Sequence, residues 1–233
     1  MKYCFDMDET ICLTPSSRKY EEAMPYLQVI KKINELYDSG HEISIFTSRG
    51  GTSGKYYGKL SLAQLDAWGV KYHKFRLGKP SYDLFVDDKA VSAKQWRANN
   101  EIKIVGFVAS AFDLLHAGHC EYLKEAKSVC DYLVAALHEN PHDERSWKNS
   151  PVQTIIEREI QLSSIKYVDE IIRYKTEADL ERILSKIRPD VRVVGDPGPV
   201  TGEQYCSHVY FHKRGIWSST DLRDRIKNAQ SKN

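Results

Sequence analysis

The chain predicts an α/β protein made of two Rossmann-like three-layer domains with mainly parallel sheets. Three observations carry this. Strand-like apolar runs alternate with helical patterns along the whole length, which implies parallel strands covered on both faces. The chemically loaded residues follow the apolar runs, as they do when sites sit at the carboxyl ends of strands. The length of 233 residues exceeds that of a usual single domain, and 41% hydrophobic content suffices for two cores.

The elements follow in order. Met1 to Phe5 is a short apolar strand running into Asp6-Met7-Asp8-Glu9-Thr10. A helical pattern covers Tyr20 to Ser39, its apolar stripe formed by Leu27, Ile30, Ile33 and Leu36. Ile43 to Phe46 is a strand ending in Thr47-Ser48-Arg49-Gly50, and the small-residue stretch Gly50 to Tyr57 shapes an open mouth. Lys79 stands in Gly78-Lys79-Pro80, and Leu84-Phe85-Val86 reads as another strand, ending in Asp87-Asp88. The polar stretch Arg97 to Glu101 then marks a boundary, giving domains at residues 1–98 and 103–228. In the second domain the run Ile104 to Val108 leads to Phe112-Asp113-Leu114-Leu115-His116-Ala117-Gly118-His119 and a helical pattern from Glu121 to Ala126. Glu177 to Ile187 is helical through Leu180, Ile183 and Leu184, Val191 to Val194 is a strand, and Ser218-Ser219-Thr220 opens the last helical pattern. There is no internal repeat and no low-complexity segment.

Two imidazoles three residues apart at a helix N-terminus, with free backbone N–H groups and Gly118 between them, suit a polyphosphate whose charge grows during reaction. Gly118 is expected to let a phosphate approach the backbone. At the other end of the chain, two carboxylates one residue apart at a strand terminus can divide the work. Asp6 can attack a phosphorus atom, while Asp8 protonates the leaving alcohol and later activates water.

Residues 103 to 228 resemble the cytidylyltransferase branch of the HxGH nucleotidyltransferases, glycerol-3-phosphate cytidylyltransferase most of all. The resemblance rests on Phe112 to His119, on Lys148 in Lys148-Asn149-Ser150-Pro151, and on Glu157-Arg158 followed by Ile165 to Ile171. It also rests on Gly195-Asp196 after a strand and on Trp217-Ser218-Ser219-Thr220-Asp221-Leu222-Arg223. Ser110-Ala111 stand where the family has Gly-Thr, and either Lys213 or Arg214 stands for an arginine before the last signature. The resemblance implies transfer of a cytidylyl group from CTP to a small polyol or sugar phosphate, with pyrophosphate released. His116 and His119 then stabilise the α-phosphate, while Lys148 and Arg158 hold the incoming phosphate and the departing pyrophosphate. Ser218, Ser219 and Thr220 cap a helix whose N–H groups face the outer phosphates. Phe112 and Asp113 support the loop, and Asp196 suits a ribose or base contact. A homodimer through this domain is a further expectation. Adenylyltransferases of the heptose pathway share His-Ala-Gly-His, so ATP stays open as the nucleotide; the run Lys166 to Glu170 favours CTP.

Residues 1 to 97 resemble the haloacid dehalogenase superfamily of phosphatases, specifically its small capless members. That resemblance implies Asp6 as nucleophile and Asp8 as general acid/base, with Thr47, Ser48 and Lys79 binding the phosphoryl group. It also implies a magnesium site of Asp6, the Asp8 carbonyl and Asp87, with Asp88 beside it. Hard oxygen donors next to a phosphate suit Mg²⁺. Glu9 departs from the pattern, since many relatives carry glycine there.

Bulk properties narrow the partners. A formal net charge of +2 with scattered basic residues gives no push toward nucleic acid or an anionic membrane. Five cysteines without a Cys-x-x-Cys pair read as free thiols in a reducing compartment. No apolar run reaches membrane-spanning length, and Met1 leads straight into a strand, so a cytoplasmic protein is expected.

Overall fold

The structure, a computed structural model, describes residues 1–15, 17–195, 198–213 and 215–230, with Gln230 described by its backbone only. The chain divides into two compact units, Met1–Ile102 and Lys103–Asn233. The architecture is α/β with mainly parallel sheets.

The first unit runs β1 (Lys2–Phe5), β2 (Cys12–Leu13), β3 (Met24–Pro25), α1 (Leu27–Asp38), β4 (Glu42–Thr47), α2 (Gly58–Ala67), β5 (Lys74–Leu77) and α3 (Ala93–Asn99). Its sheet has the order β1-β4-β5, all parallel, and β2 pairs antiparallel with β3. Alternate residues of β4, Ile43, Ile45 and Thr47, are fully buried, the period of two expected of a strand with one face on a core. Two expectations fail here. The helix predicted from Tyr20 begins only at Leu27, because Pro25 has no N–H to donate and pairs in β3 instead. The first turn therefore buries Val29 and leaves Leu27 exposed. The strand predicted at Leu84–Val86 is an irregular segment, with Leu84 76%, Phe85 48% and Val86 89% exposed. Strand β5 takes the place beside β4, and Gly78 (φ 83) and Pro80 then interrupt the extended chain. A three-residue apolar run cannot by pattern alone be told from a loop.

The second unit runs β6 (Val105–Ser110), α4 (Ala117–Ser128), β7 (Tyr132–His138), α5 (Ile155–Ser163), β8 (Glu170–Tyr174), α6 (Glu177–Ile187), β9 (Val191–Val194), β10 (His208–Phe211) and α7 (Ser219–Gln230). The five strands are parallel in the order β10-β9-β6-β7-β8. Leu133 to His138 are buried in succession, as parallel strands covered on both faces require. Phe107, Val134 and Ala136 of the sheet pack with Tyr174, Leu180 and Leu184. Helices α5 and α6 each start with a complete capping box, Thr154 with Glu157 and Thr176 with Asp179. The chain goes from β6 to β7 and β8 on one side, then crosses to β9 and β10 on the other. The carboxyl ends of β6 and β9 therefore face a topological switch point, where open α/β sheets form their crevice. No described helix is long and apolar enough to cross a membrane.

Glu9 adopts φ 55, in the left-handed region. The turn after β1 thus imposes a conformation that glycine accepts without strain and that costs other residues about 1–2 kcal/mol. Glu9→Gly is expected to leave the first unit as stable as wild type or stabilise it by up to about 1 kcal/mol, since glycine's chain entropy offsets part of the relief. Urea denaturation checks this; a loss beyond that scale contradicts the strain argument.

Candidate active site

The loop between β6 and α4 is held in a costly conformation. Phe112 and Leu114 both lie in the left-handed region, at φ 48 and 49, which costs of order 1–3 kcal/mol each. The surroundings fix it from several sides. The buried Phe112 ring meets His119 edge-on, with centroids 5.6 Å apart. Leu114 N donates to Gln153 Oε1 at 2.8 Å. Between them the buried Asp113 carboxylate accepts from Val152 N and Gln153 N at 3.0 Å and from Arg223 Nη2 at 2.6 Å. Arg223 also donates to Ser150 O at 3.1 Å. Asp113 is thus a positioning residue that ties α7 and the 150–153 segment to the histidine loop.

His116 is the N-cap residue of α4, and its Nδ1 accepts from Gly118 N at 3.1 Å. That bond uses the Nδ1 lone pair, so the neutral ring carries its proton on Nε2. Nε2 lies 3.1 Å from Ser219 Oγ. The His116 and His119 rings stack with centroids 4.0 Å apart. Burial pushes the His116 pKa below its ordinary value, Arg225 adds to this, and Asp221 opposes it. The side chain missing from Gly118 matters for packing: a Cβ there would lie 2.6 Å from Trp217 O and 3.0 Å from the His116 ring. The glycine expected to admit a phosphate instead lets the segment before α7 close onto α4.

These groups line a cavity of about 260 Å³ together with Gly195, Tyr122, His212 and Ser218. Two helix N-termini, those of α4 and α7, meet at it. Ser218 caps α7, accepting from Asp221 N at 3.1 Å and donating to Asp221 Oδ2 at 2.7 Å. Ser219 turns the other way, toward His116 and, at 3.3 Å, Asp113 O. Thr220 is exposed on the same turn. An adjoining cavity of about 380 Å³ shares Ala109, Ser110, Tyr122 and Gly195 with the first and is lined on its far side by Lys148, Arg145, Arg192 and His138. Lys148 thus stands in the cleft, one cavity away from the histidines. Burial lowers the His138 pKa, with Arg145 acting in the same direction. Asp196 and Arg214 lie outside the described residues.

Arg158 does not stand where the sequence reading put it. It is 2% exposed, and its guanidinium is spent on main-chain carbonyls. Nε donates to Gln153 O at 3.1 Å, Nη1 to Ala111 O and His138 O at 2.8 and 2.7 Å, and Nη2 to Glu139 O at 2.6 Å. A planar fork suits carbonyls as well as phosphates, and sequence alone does not separate the two uses.

In the first unit the strand ends bring together Asp6, Thr47 and Lys79. Lys79 Nζ donates to Asp6 Oδ2 at 2.6 Å, and Lys79 N to Thr47 O at 3.1 Å. Asp6 Oδ1 accepts from Met7 N at 2.7 Å. Asp8 points elsewhere. Its carboxylate accepts from Arg49 Nε at 2.9 and 3.1 Å, from Arg49 Nη2 at 2.7 Å and from Thr14 Oγ1 at 2.6 Å. Arg49, to which the sequence reading gave no role, is buried and reaches on to Gln64 Oε1 at 2.6 Å. Thr47 Oγ1 accepts from Arg49 N at 3.2 Å, and Ser48 O accepts from Gly51 N. Asp87 and Asp88 lie on the exposed segment after Val86, where Asp87 Oδ1 accepts from Lys89 N at 2.7 Å. Among the described residues, Asp6, Asp8 and Asp87 are not gathered into a group able to hold an ion. Asp6, Asp87 and Asp88 likewise form no such group among the described residues, and Asp6 faces Lys79, whereas the turn of the Asp8 carboxylate toward Arg49 leaves its carbonyl, the expected donor, unaffected.

The lowered pKa of His116 has a signed consequence. The unfolded chain takes up a proton near the ordinary imidazole value of 6.5, which folded His116 resists. The unfolded state therefore binds more protons there, and stability falls as pH drops through that value. His116→Gln is expected to flatten this part of the unfolding free energy between about pH 5.5 and 7.5. Urea titrations across that window check it; an unchanged slope contradicts the neutral assignment.

Residues 107–224 match the family model described as cytidylyltransferase-like. Bifunctional protein HldE of Acidiphilium cryptum is 36% identical over 107 residues, covering 46% of this chain and 21% of that protein. Ethanolamine-phosphate cytidylyltransferase of Dictyostelium discoideum is 28% identical over 118 residues, 50% of this chain and 32% of that protein. The chain therefore spans about a fifth to a third of the length of these relatives. Among solved structures, the lipopolysaccharide core biosynthesis protein from Thermoplasma volcanium aligns at 23% identity and a TM-score of 0.43, covering 48% of this chain and 98% of that one. Through the stretch that carries the stacked histidines and both helix N-termini, the chain belongs to the cytidylyltransferase-like family.

Proposed function

We propose that the second unit transfers a nucleotidyl group from a nucleoside triphosphate, CTP in preference to ATP, to the phosphate of a small polyol or sugar. The observation that carries this reading is the pair of stacked imidazoles at the N-terminus of α4, facing the N-terminus of α7 across one cavity. In the reaction an acceptor phosphate oxygen attacks the α-phosphorus, a new P–O bond forms, and the bond to the β-phosphate oxygen breaks to release pyrophosphate. Such a step needs positioning and charge stabilisation more than covalent help. His116 donates from Nε2, exchanging Ser219 Oγ for an α-phosphate oxygen, and His119 donates beside it. The α7 N–H groups and the Ser219 hydroxyl face the outer phosphates. Lys148, in the adjoining cavity, meets the acceptor phosphate. The name of the Dictyostelium relative and the run Tyr167-Val168-Asp169 support CTP.

A second reading concerns the first unit, and the Asp6–Lys79 contact at the carboxyl ends of parallel strands favours it. There Asp6 attacks the phosphorus of a phosphomonoester, and the bond to the alcohol oxygen breaks with the Asp8 carboxyl giving that oxygen a proton. Lys79 transfers its hydrogen bond to a phosphoryl oxygen. Water, deprotonated by Asp8, then attacks the phosphorus to release phosphate and free Asp6. Asp8 acts in this reading only after release from Arg49.

The two readings separate cleanly by mutation. His119→Ala is expected to lower pyrophosphate release by about 10²–10³-fold, the usual cost of losing one preorganised donor, and to leave phosphomonoester hydrolysis intact. Asp6→Asn is expected to do the reverse. The assay supplies CTP or ATP with a panel of phosphorylated polyols and sugars. Transfer within about threefold of wild type in His119→Ala is far below the loss of one such donor and contradicts the proposed site. Equal or faster turnover with ATP contradicts the proposed base.

A further inference from the structure

Three side chains from separate stretches of the second unit converge at one point of the cleft. His138 is the last residue of β7, Glu144 lies on the loop after it, and Glu177 is the first residue of α6. One ligand-capable atom from each lies within 4.8 Å of the other two. His138 is 1% exposed, yet among the described residues neither ring nitrogen has a hydrogen-bond partner. A buried polar group left without a partner costs about 1–3 kcal/mol, and such exceptions in folded proteins call for a reason. The ring edge packs on Tyr174, with centroids 4.4 Å apart, which fixes its orientation.

The carboxylates are already oriented. Glu177 pairs with Arg145 Nη2 at 2.9 Å and accepts from Thr201 Oγ1 at 2.6 Å. Glu144 Oε2 accepts from Glu177 N at 2.8 Å. These contacts leave acceptor capacity, because an ionised carboxylate offers about four lone-pair positions. Ligating carboxylates commonly carry outer partners of this kind, which set their angle and tune their basicity.

We propose that His138, Glu144 and Glu177 bind a divalent first-row transition-metal ion of the zinc type. One imidazole with two carboxylates is a nitrogen–oxygen donor set that suits zinc, cobalt or manganese, whereas magnesium and calcium take oxygen donors and copper(I) takes sulfur. Three protein ligands leave a tetrahedral zinc one open position. His138 and Glu177 both line the cavity that also holds Lys148 and Arg192, so an oxygen of a bound acceptor fills that position. The binding claim itself does not depend on the transfer reaction.

The test uses the full chain, stripped with chelator and titrated calorimetrically with zinc, with cobalt visible spectra as a second readout. Wild type is expected to bind one ion at this centre, with cobalt bands free of thiolate charge transfer, and zinc is expected to raise its thermal midpoint. His138→Gln and Glu144→Gln are each expected to weaken binding at least about tenfold, the scale on which ligand shells act. Asp6→Asn is expected to bind as wild type does, which separates this site from the first unit's carboxylates. Glu144 is exposed, so its variant decides the matter if His138→Gln fails to fold. Absence of zinc binding in wild type, or binding unchanged in Glu144→Gln, overturns the proposal.

Discussion

A buried guanidinium bonded only to main-chain carbonyls is the constraint on which the cleft of the second unit depends. Taking a cation out of water costs several kcal/mol unless its donors are met. Arg158 meets them with oxygens from Ala111, His138, Glu139 and Gln153. Those residues belong to the histidine loop, the end of β7 and the segment leading into α5. One side chain thereby bonds three pieces of backbone where the β6–β7 ladder ends, at Ser110 and Leu137. The charge is solvated by fixed dipoles, and the loops must stay where those dipoles converge.

The rest of the cleft builds on that anchor. With Gln153 held by Arg158, its backbone and its side chain can reach Asp113 and Leu114, which keeps two left-handed residues in place ahead of α4. Asp113 in turn holds Arg223, so α7 is docked with Ser219 toward His116. The strain in the loop is thus offset by contacts that also aim the imidazoles, as is common where geometry serves chemistry. The other carbonyl on Nη1 belongs to His138, so the same anchor places the ring that meets Glu144 and Glu177. The first unit uses a buried guanidinium differently: Arg49 bonds the Asp8 carboxylate and ties it to α2 through Gln64.

Much of this was legible in the sequence because it is written in short-range patterns. The alternation of apolar runs and helical stripes foretold parallel strands, and the His116–His119 spacing placed both rings on one helix start. Capping of α7 was expected of the three hydroxyls Ser218, Ser219 and Thr220 together, and Ser218 takes that role. What stayed hidden depends on distant partners. Arg158 and Arg49 carry the same fork that grips phosphate, and only the folded chain shows that their donors are already used. Leu84–Val86 has the composition of a strand, but composition does not supply a neighbour. The motif around Lys148 gives it a phosphate to hold but not a place, and the fold puts it in the cavity adjoining the histidines. The meeting of His138, Glu144 and Glu177 needs β7, a loop and α6 to be assembled first.

The most direct test of this account is the stability of an Arg158→Met chain, compared with wild type by urea denaturation of the second unit. Methionine fills similar space but leaves the buried carbonyls without donors. The account predicts a loss of about 3–5 kcal/mol, the scale for removing one partner from a buried charged network, with the urea transition of the first unit unchanged. A variant as stable as wild type that has lost only nucleotidyl transfer would contradict it, and would return Arg158 to the role of a phosphate ligand.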